Sequence, residues 1–191
     1  MSTPKVLAFA GSIRKDSYNK RLAKIALHAA EKSGAETTFI DLFDYQMPLY
    51  CEDYEAEHGK PESVSKFQEL LKSHNGFLIA SPEYNSSLTG ILKNAIDWST
   101  RPDEGEHWDT CWRGKIAGVL CAASGLGGRC GLYHLKTILG TYGTIVLPKH
   151  LIVGHCKKHL TNDECVQDDK MQQQIDTIAS ELIRVIRGLH S

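Results

Sequence analysis

Short apolar runs alternate with amphipathic segments along almost the whole chain. Five runs are apolar enough to form buried strands, and they cover about residues 5–10, 36–42, 76–80, 116–122 and 144–148. Between and after these runs, apolar residues recur every three to four positions, which places them on one face of a helix. The amphipathic segments cover about residues 18–33, 64–71, 89–99, 132–139 and 167–186. The pattern therefore predicts strands and helices in alternation.

Five buried strands separated by helices indicate a doubly wound parallel sheet with helices on both faces. The segments that follow the first, third and fourth strands are polar and contain glycine. Ligands bind where the strand order of such a sheet reverses, so these three strands are expected to be neighbours there. We predict an α/β fold: a three-layer, flavodoxin-like sandwich whose five-stranded parallel sheet has the order 2-1-3-4-5. Residues 1–191 are predicted to form this single domain.

Two features interrupt the pattern. Residues 44–62 are acidic and contain Pro48, Gly59 and Pro61, so they are predicted to be irregular. The fifth strand is predicted to end at Pro148, because proline cannot donate a hydrogen bond to a neighbouring strand.

The composition narrows the class of protein. With 191 residues, of which 41% are hydrophobic and 24% charged, the chain can bury a core and is not disordered in bulk. A formal net charge of -1 argues against a nucleic-acid partner, which requires a basic surface. The same balance lacks the strong acidity expected of a small electron carrier that docks basic redox partners.

The amino-terminal apolar run and the cysteines indicate where in the cell the protein is expected. The run at residues 6–10 is too short for a signal peptide core or a membrane span, so we expect a cytoplasmic protein without a membrane partner. The six cysteines show no Cys-x-x-Cys spacing, and a disulfide framework, a zinc site or an iron-sulfur site is not indicated. Reduced thiols are expected.

The first polar loop, residues 11–19, follows the first strand and has the groups that a phosphate requires. The start of the next helix supplies free backbone N–H groups and the positive end of the helix dipole. Ser12 and Ser17 add hydroxyl donors, Asn19 an amide and Arg14 a charged fork. An ordinary helix start would show the same residues, with Ser17 or Asp16 as the cap and Arg14 in solvent.

The glycine content of this loop excludes two other nucleotide sites. Gly11 is its one glycine, so the loop lacks the Gly-x-Gly-x-x-Gly spacing of dinucleotide folds. It also lacks the Gly-x-x-x-x-Gly-Lys-Ser/Thr motif that holds nucleoside triphosphates. A phosphorylated planar ligand is indicated, with FMN as the best candidate.

Two further loops follow the third and fourth strands. In the second loop, Pro82 stiffens the exit from the strand, Tyr84 offers a flat aromatic face, and Asn85 can bond the heteroatom edge of a ring. In the third loop, the glycines of residues 124–128 would let a flat ring lie against the backbone. A polar loop with a half-buried tyrosine and a flexible turn are the structural alternatives.

Three motifs in this order resemble the NADPH-dependent FMN reductase family, which includes flavin-bound quinone, azo-dye and chromate reductases. The similarity spans nearly the whole chain. The motifs are Gly11-Ser12-x-Arg14-x-x-Ser17-x-Asn19, Pro82-Glu83-Tyr84-Asn85 and Leu92-Lys93-Asn94-Ala95-Ile96-Asp97-Trp98.

The resemblance implies an FMN-binding domain and assigns its site. Ser12, Arg14, Ser17 and Asn19 would hold the phosphate. The isoalloxazine would be bordered by four residues of the second loop: Pro82, Glu83, Tyr84 and Asn85. Ser124 and Gly127 of the third loop would complete the cradle. Many relatives carry proline where this chain has Thr89, which leaves the rigidity of that loop open.

The resemblance also implies the function. The chain would be an NAD(P)H-dependent oxidoreductase that passes two electrons through FMN to quinones or similar small electrophiles, such as azo compounds and metal oxyanions. One shared site predicts ping-pong kinetics, and no catalytic acid or base is identified. A homodimer or homotetramer is implied, with the partner chain closing the flavin site. The alternatives are a flavodoxin-type electron carrier and a flavin reductase that supplies reduced FMN to a partner monooxygenase.

Several questions stay open from the sequence. The physiological acceptor, the preference for NADPH over NADH and the choice between dimer and tetramer are undetermined. Arg101 and Arg129 are the candidates for the residues that select NADPH. No metal is predicted, although residues 155–159 contain two histidines and a cysteine, and a redox role for Cys130 is left open.

Overall fold

The computed structural model describes residues 3–189. Helices separate the five longer strands along the chain. The strands are β1 (Lys5–Ala10), β2 (Glu36–Phe39), β3 (Gly76–Ala80), β4 (Glu83–Tyr84), β5 (Ser87–Leu88), β6 (Ile116–Ala122) and β7 (Ile145–Val153). The α-helices are α1 (Tyr18–Lys32), α2 (Glu52–His58), α3 (Glu62–Ser73), α4 (Gly90–Ser99), α5 (Arg129–Thr141), α6 (Cys156–His159) and α7 (Asp169–Leu189).

The main sheet is parallel, with the strand order β2-β1-β3-β6-β7. Strands β4 and β5 form a separate antiparallel hairpin, so the order of the main-sheet strands is 2-1-3-4-5. The predicted α/β fold and strand order are therefore confirmed.

Alternate residues of each central strand enter two separate cores. In β1, Val6 and Ala8 belong to the core under α1 and α7, and Leu7 and Phe9 belong to the core on the opposite face. Both faces of the sheet are thus covered, which explains why the central strands are apolar without alternation.

The fifth main-sheet strand does not end at Pro148, as the sequence predicted. β7 continues to Val153, and its pairing with β6 shifts register between Ala117 and Val119. Proline is tolerated here because β7 is an edge strand and the missing N–H falls at this irregularity. The extension carries the end of β7 to the same sheet edge as the ends of β1, β3 and β6.

Residues 44–62 are not wholly irregular, and this prediction was wrong in part. They contain α2, which has no buried residue and therefore no apolar stripe that a sequence pattern could reveal. Its first turn contains three acidic residues, Glu52, Asp53 and Glu55, whose negative charges interact favourably with the positive end of the helix dipole. The second strand also ends earlier than predicted, at Phe39, and Leu42–Asp44 form a 3-10 turn.

No helix within residues 3–189 is both long enough and apolar enough to span a membrane.

Candidate active site

A cavity of about 890 Å³ lies at the carboxyl edge of the sheet. The loops that follow β1, β3, β6 and β7 line it. This is the edge at which doubly wound folds bind ligands, and the volume is in the range of small-molecule sites.

The first loop contributes the four residues that were predicted to hold a phosphate. Ser12, Arg14, Ser17 and Asn19 all line the cavity. Ser17 occupies the N-cap position of α1, but its side chain makes no capping hydrogen bond. Its hydroxyl is therefore available to a ligand beside the first N–H groups of the helix, which have no intrahelical acceptor. This arrangement favours the anion site over an ordinary serine-capped helix start.

Asn19 also has a structural role that the sequence did not reveal. Its Nδ2 donates to the Ala122 carbonyl at 2.9 Å, and the Ala122 N–H donates to its Oδ1 at 2.8 Å. One Nδ2 hydrogen is left for a ligand. The side chain thus joins the start of α1 to the end of β6.

The second loop is a β-hairpin, and it places its predicted residues differently. Pro82, Glu83 and Tyr84 line the cavity, and Tyr84 is 54% exposed. Asn85 lies at the tip of the hairpin and is not among the residues that line the cavity. Asn85 and Ser86 have φ values of 51° and 63°, as a tight hairpin turn requires.

The Glu83 carboxylate accepts a hydrogen bond from the protein itself. Its Oε2 accepts a hydrogen bond of 2.8 Å from the N–H of Gly131 in the first turn of α5. The positive end of the α5 dipole favours this carboxylate. A Cβ at Gly131 would come within 3.0 Å of the Ser87 carbonyl oxygen, so glycine permits the hairpin to pack against the helix.

The third loop brings Ser124, Gly125, Gly127 and Gly128 to the cavity. Gly128 has a φ of 116°, and a Cβ there would lie 2.6 Å from the sulfur of Cys121. This glycine is therefore required by both conformation and space. Gly125 has no atom within 4 Å of the equivalent position, so it is open to a ligand.

A fourth loop lines the cavity and was missed. It contributes His155, Cys156, Lys157 and Lys158 after the end of β7. The sequence signal was present, since these residues follow an apolar strand, but the strand was predicted to end at Pro148. His155 is in the left-handed region, with a φ of 46°, an unusual conformation for a residue other than glycine.

Several other polar candidates are not part of the cavity. Arg101 does not line it and pairs with Glu55 at 2.8 Å, and Arg129 does not line it either. Cys130 is exposed and is also outside the lining. Within residues 3–189, no three His, Cys, Asp or Glu side chains are grouped to hold a metal ion.

Burial keeps the thiols near the cavity protonated. It raises the pKa of Cys121 to about 12, and the nearby Glu83 charge acts in the same direction. Burial also raises the pKa of Cys156, which the Arg14 charge opposes. Neither thiol is a thiolate at neutral pH, so neither is suited to act as a nucleophile.

Known proteins resemble the chain over most of its length. The sequence model of the NADPH-dependent FMN reductase family matches residues 4–158. An NAD(P)H-dependent FMN reductase of Pseudomonas aeruginosa is 39% identical over 190 residues, which cover 96% of this chain and 97% of that protein. A probable NADPH:quinone oxidoreductase of Oryza sativa is 36% identical over 136 residues, 70% of this chain but 63% of the rice protein. The solved structure of FerB, a flavoenzyme NAD(P)H:(acceptor) oxidoreductase from Paracoccus denitrificans, has a TM-score of 0.80 at 31% identity and covers 97% of this chain and 98% of its own.

Proposed function

The chain belongs to the NADPH-dependent FMN reductase family, and from this we propose that it is an FMN-dependent enzyme that transfers two electrons from NADPH or NADH to quinones or similar small electrophiles. The observation that carries the proposal is that the three predicted loops converge on one cavity. Relatives named as FMN reductase and quinone oxidoreductase support the choice of cofactor and acceptor.

The residues of the cavity fit FMN. The phosphate would lie at Ser12, Arg14 and Ser17, where hydroxyls, a guanidinium group and helix N–H groups converge. The ring would lie between the hairpin residue Tyr84 and the open backbone of the third loop, whose Gly125 leaves space above it. Asn19 and Glu83 would position these loops through their own hydrogen bonds.

The overall reaction converts NAD(P)H, a proton and a quinone into NAD(P)⁺ and a hydroquinone. When bound, FMN supplies the redox chemistry, because it accepts a hydride and passes two electrons on. The protein binds and orients the donor and then the acceptor, and we propose that both use this cavity in turn. We assign no catalytic acid or base: the Glu83 carboxylate accepts a helix N–H, and the cavity thiol of Cys156 has a raised pKa. The proton that completes the hydroquinone would come from solvent.

Association and location are part of the proposal. We propose a homodimer or homotetramer in which a second copy closes the site. Exposed apolar side chains support it, since Tyr84 and Leu126 are 54% and 84% exposed beside the cavity and Tyr133 is 50% exposed on α5. A cytoplasmic location is supported by the cysteines, all six of which are unpaired.

The visible absorption spectrum of the purified protein, recorded before and after anaerobic addition of NADPH, tests this function. We expect a flavin spectrum that bleaches promptly and returns when a quinone is added. A flavin spectrum that responds to neither NADPH nor NADH would favour a flavodoxin-type carrier instead. Loss of the flavin during gel filtration would favour a reductase that supplies reduced FMN to a monooxygenase. A colourless protein that does not take up FMN would overturn the proposal.

A further inference from the structure

Two adjacent lysines of the fourth loop face the cavity from a rigid support. Lys157 and Lys158 lie in α6, are exposed and line the cavity. Backbone hydrogen bonds join their segment to the third loop: His155 N–H donates to the Gly125 carbonyl at 3.0 Å, and Cys156 N–H to the Ala123 carbonyl at 3.0 Å.

The other end of the segment is also held. The Arg21 guanidinium of α1 donates to the Leu160 carbonyl at 3.0 Å, directly after α6. The lysines are therefore held between the third loop and α1, the helix that follows the first loop. Their backbone is positioned, and their flexible side chains are free to reach a ligand.

These lysines lack the carboxylate partners that many other lysines of the chain have. Lys24 pairs with Asp163 at 2.7 Å, Lys72 with Glu106 at 2.7 Å and Lys93 with Asp97 at 2.6 Å. Within residues 3–189, neither Lys157 nor Lys158 forms an ion pair, and neither does Arg14. Among the described residues that line the cavity, Glu83 has the one carboxylate, and it accepts a hydrogen bond from the start of α5.

The cavity thus has two cationic side chains, Lys157 and Lys158, besides the Arg14 guanidinium of the first loop. A phosphate monoester carries close to two negative charges at neutral pH. Arg14, the hydroxyls of Ser12 and Ser17 and the start of α1 already provide for the phosphate of FMN. The two lysines are adjacent, are exposed to solvent and lie in α6 rather than in the first loop. This placement suits a second phosphate monoester on a ligand that enters and leaves the cavity.

We propose that Lys157 and Lys158 form a second phosphate subsite that binds the 2′-phosphate of NADPH and so favours NADPH over NADH. This inference rests on the proposed function, because it assumes that the nicotinamide donor enters the same cavity. It assigns donor selection to the loop that follows β7, in place of Arg101 and Arg129.

The test compares the double variant Lys157→Ala/Lys158→Ala with a control of equal charge change, Lys32→Ala/Lys170→Ala. Lys32 is at the far end of α1, about 20 Å from the first loop, and Lys170 does not line the cavity. On the FMN-loaded protein, kcat/KM for NADPH should fall about tenfold or more and that for NADH by less than about threefold, the loss expected for charge-assisted hydrogen bonds. FMN affinity should be unchanged, and the control should resemble the unmodified protein.

Calorimetric titration with 2′,5′-ADP and 5′-AMP tests the subsite without turnover. Only 2′,5′-ADP should bind more weakly to the double variant, by about tenfold. Equal losses for NADPH and NADH together with loss of FMN would overturn the proposal and assign the lysines to the FMN phosphate. Unchanged affinity for 2′,5′-ADP would also overturn it. If the unmodified protein does not oxidise NADPH or NADH, the proposed function fails, but the titration still decides the subsite.

Discussion

Asn19 and Ala122 exchange two hydrogen bonds, of 2.9 Å and 2.8 Å, although they are 103 positions apart in the chain. Asn19 stands in the first turn of α1 and Ala122 at the end of β6. The pair therefore joins the start of α1, beside the first loop, directly to the end of β6, where the glycine-rich third loop begins. A side chain that the resemblance assigns to the ligand also sets the distance between two walls of the cavity.

Replacing Asn19 should weaken both the fold and the site. Asn19→Ala leaves the buried N–H and carbonyl of Ala122 without their partner, so the free energy of unfolding should fall by about 2 kcal/mol. FMN should also bind more weakly, because the two loops lose their connection. Urea denaturation and FMN titration measure the two effects. Asn19→Asp keeps the acceptor for the Ala122 N–H and should recover part of the stability but not the affinity. Unchanged unfolding of Asn19→Ala would contradict this role.

Arg14 should act on FMN affinity alone. Its side chain is exposed and forms no ion pair within residues 3–189, so Arg14→Ala should leave the unfolding free energy within about 0.5 kcal/mol of its original value. Loss of a charge-assisted bond to phosphate should raise the Kd for FMN by about 10-fold to 100-fold. Equilibrium titration of the apoprotein measures the Kd, with the neighbouring Lys15→Ala as the control. An unchanged Kd would remove the phosphate assignment.

The strands that the sequence predicted most accurately are those in which almost every residue is buried. β1, β3 and β6 are almost wholly buried, so they appear as continuous apolar runs with clear ends. β7 has only three buried residues and contains a proline at an irregularity, and α2 has none buried. An apolar pattern reports burial, so exposed elements and edge strands carry little of it.

The candidate site shows the same limit. Residues of the first three loops could be named because each loop follows a strand that was recognised. Lys157 and Lys158 were missed because the strand before them was ended too early. Asn85 was predicted to bond the ring edge because an amide suits that role, and it also stands in the hairpin turn, where its φ is positive. Residue type alone does not distinguish these two uses.

Tyr84 should affect the bound flavin without affecting stability. The ring is 54% exposed on a two-residue strand, so Tyr84→Ala should change the unfolding free energy by about 0.5 kcal/mol or less. Because the ring lines the cavity, its loss should shift the flavin absorption band or change turnover with quinones. Tyr84→Phe keeps the aromatic face and should stay close to the original protein. If the alanine variant has the original spectrum and turnover, the ring lies away from the flavin.

The cysteines should differ sharply in reactivity. Burial raises the pKa of Cys111 to about 11 and that of Cys121 to about 12, so both thiols stay protonated and inaccessible at pH 8. Cys51 and Cys130 are exposed. Iodoacetamide at pH 8 should therefore modify Cys51 and Cys130 in the native protein, and Cys111 and Cys121 only after denaturation. Peptide mass spectrometry locates the modified residues, and rapid native labelling of Cys121 would contradict the structure.

Two glycines of the third loop should respond differently to the same substitution. Gly128 has a φ of 116°, and a Cβ would meet the Cys121 sulfur at 2.6 Å, so Gly128→Ala should cost about 1–3 kcal/mol of unfolding free energy. Gly125 has no positive φ and no neighbour within 4 Å, so Gly125→Ala should leave stability nearly unchanged.

The same pair of variants separates the fold from the cofactor. If the ring lies over the open backbone at Gly125, the added methyl group should weaken FMN binding although the fold is intact. Thermal unfolding of the apoproteins and FMN titration measure the two effects. Equal stability of the two apoproteins would contradict the required conformation at Gly128, and full FMN affinity of Gly125→Ala would move the ring away from that position.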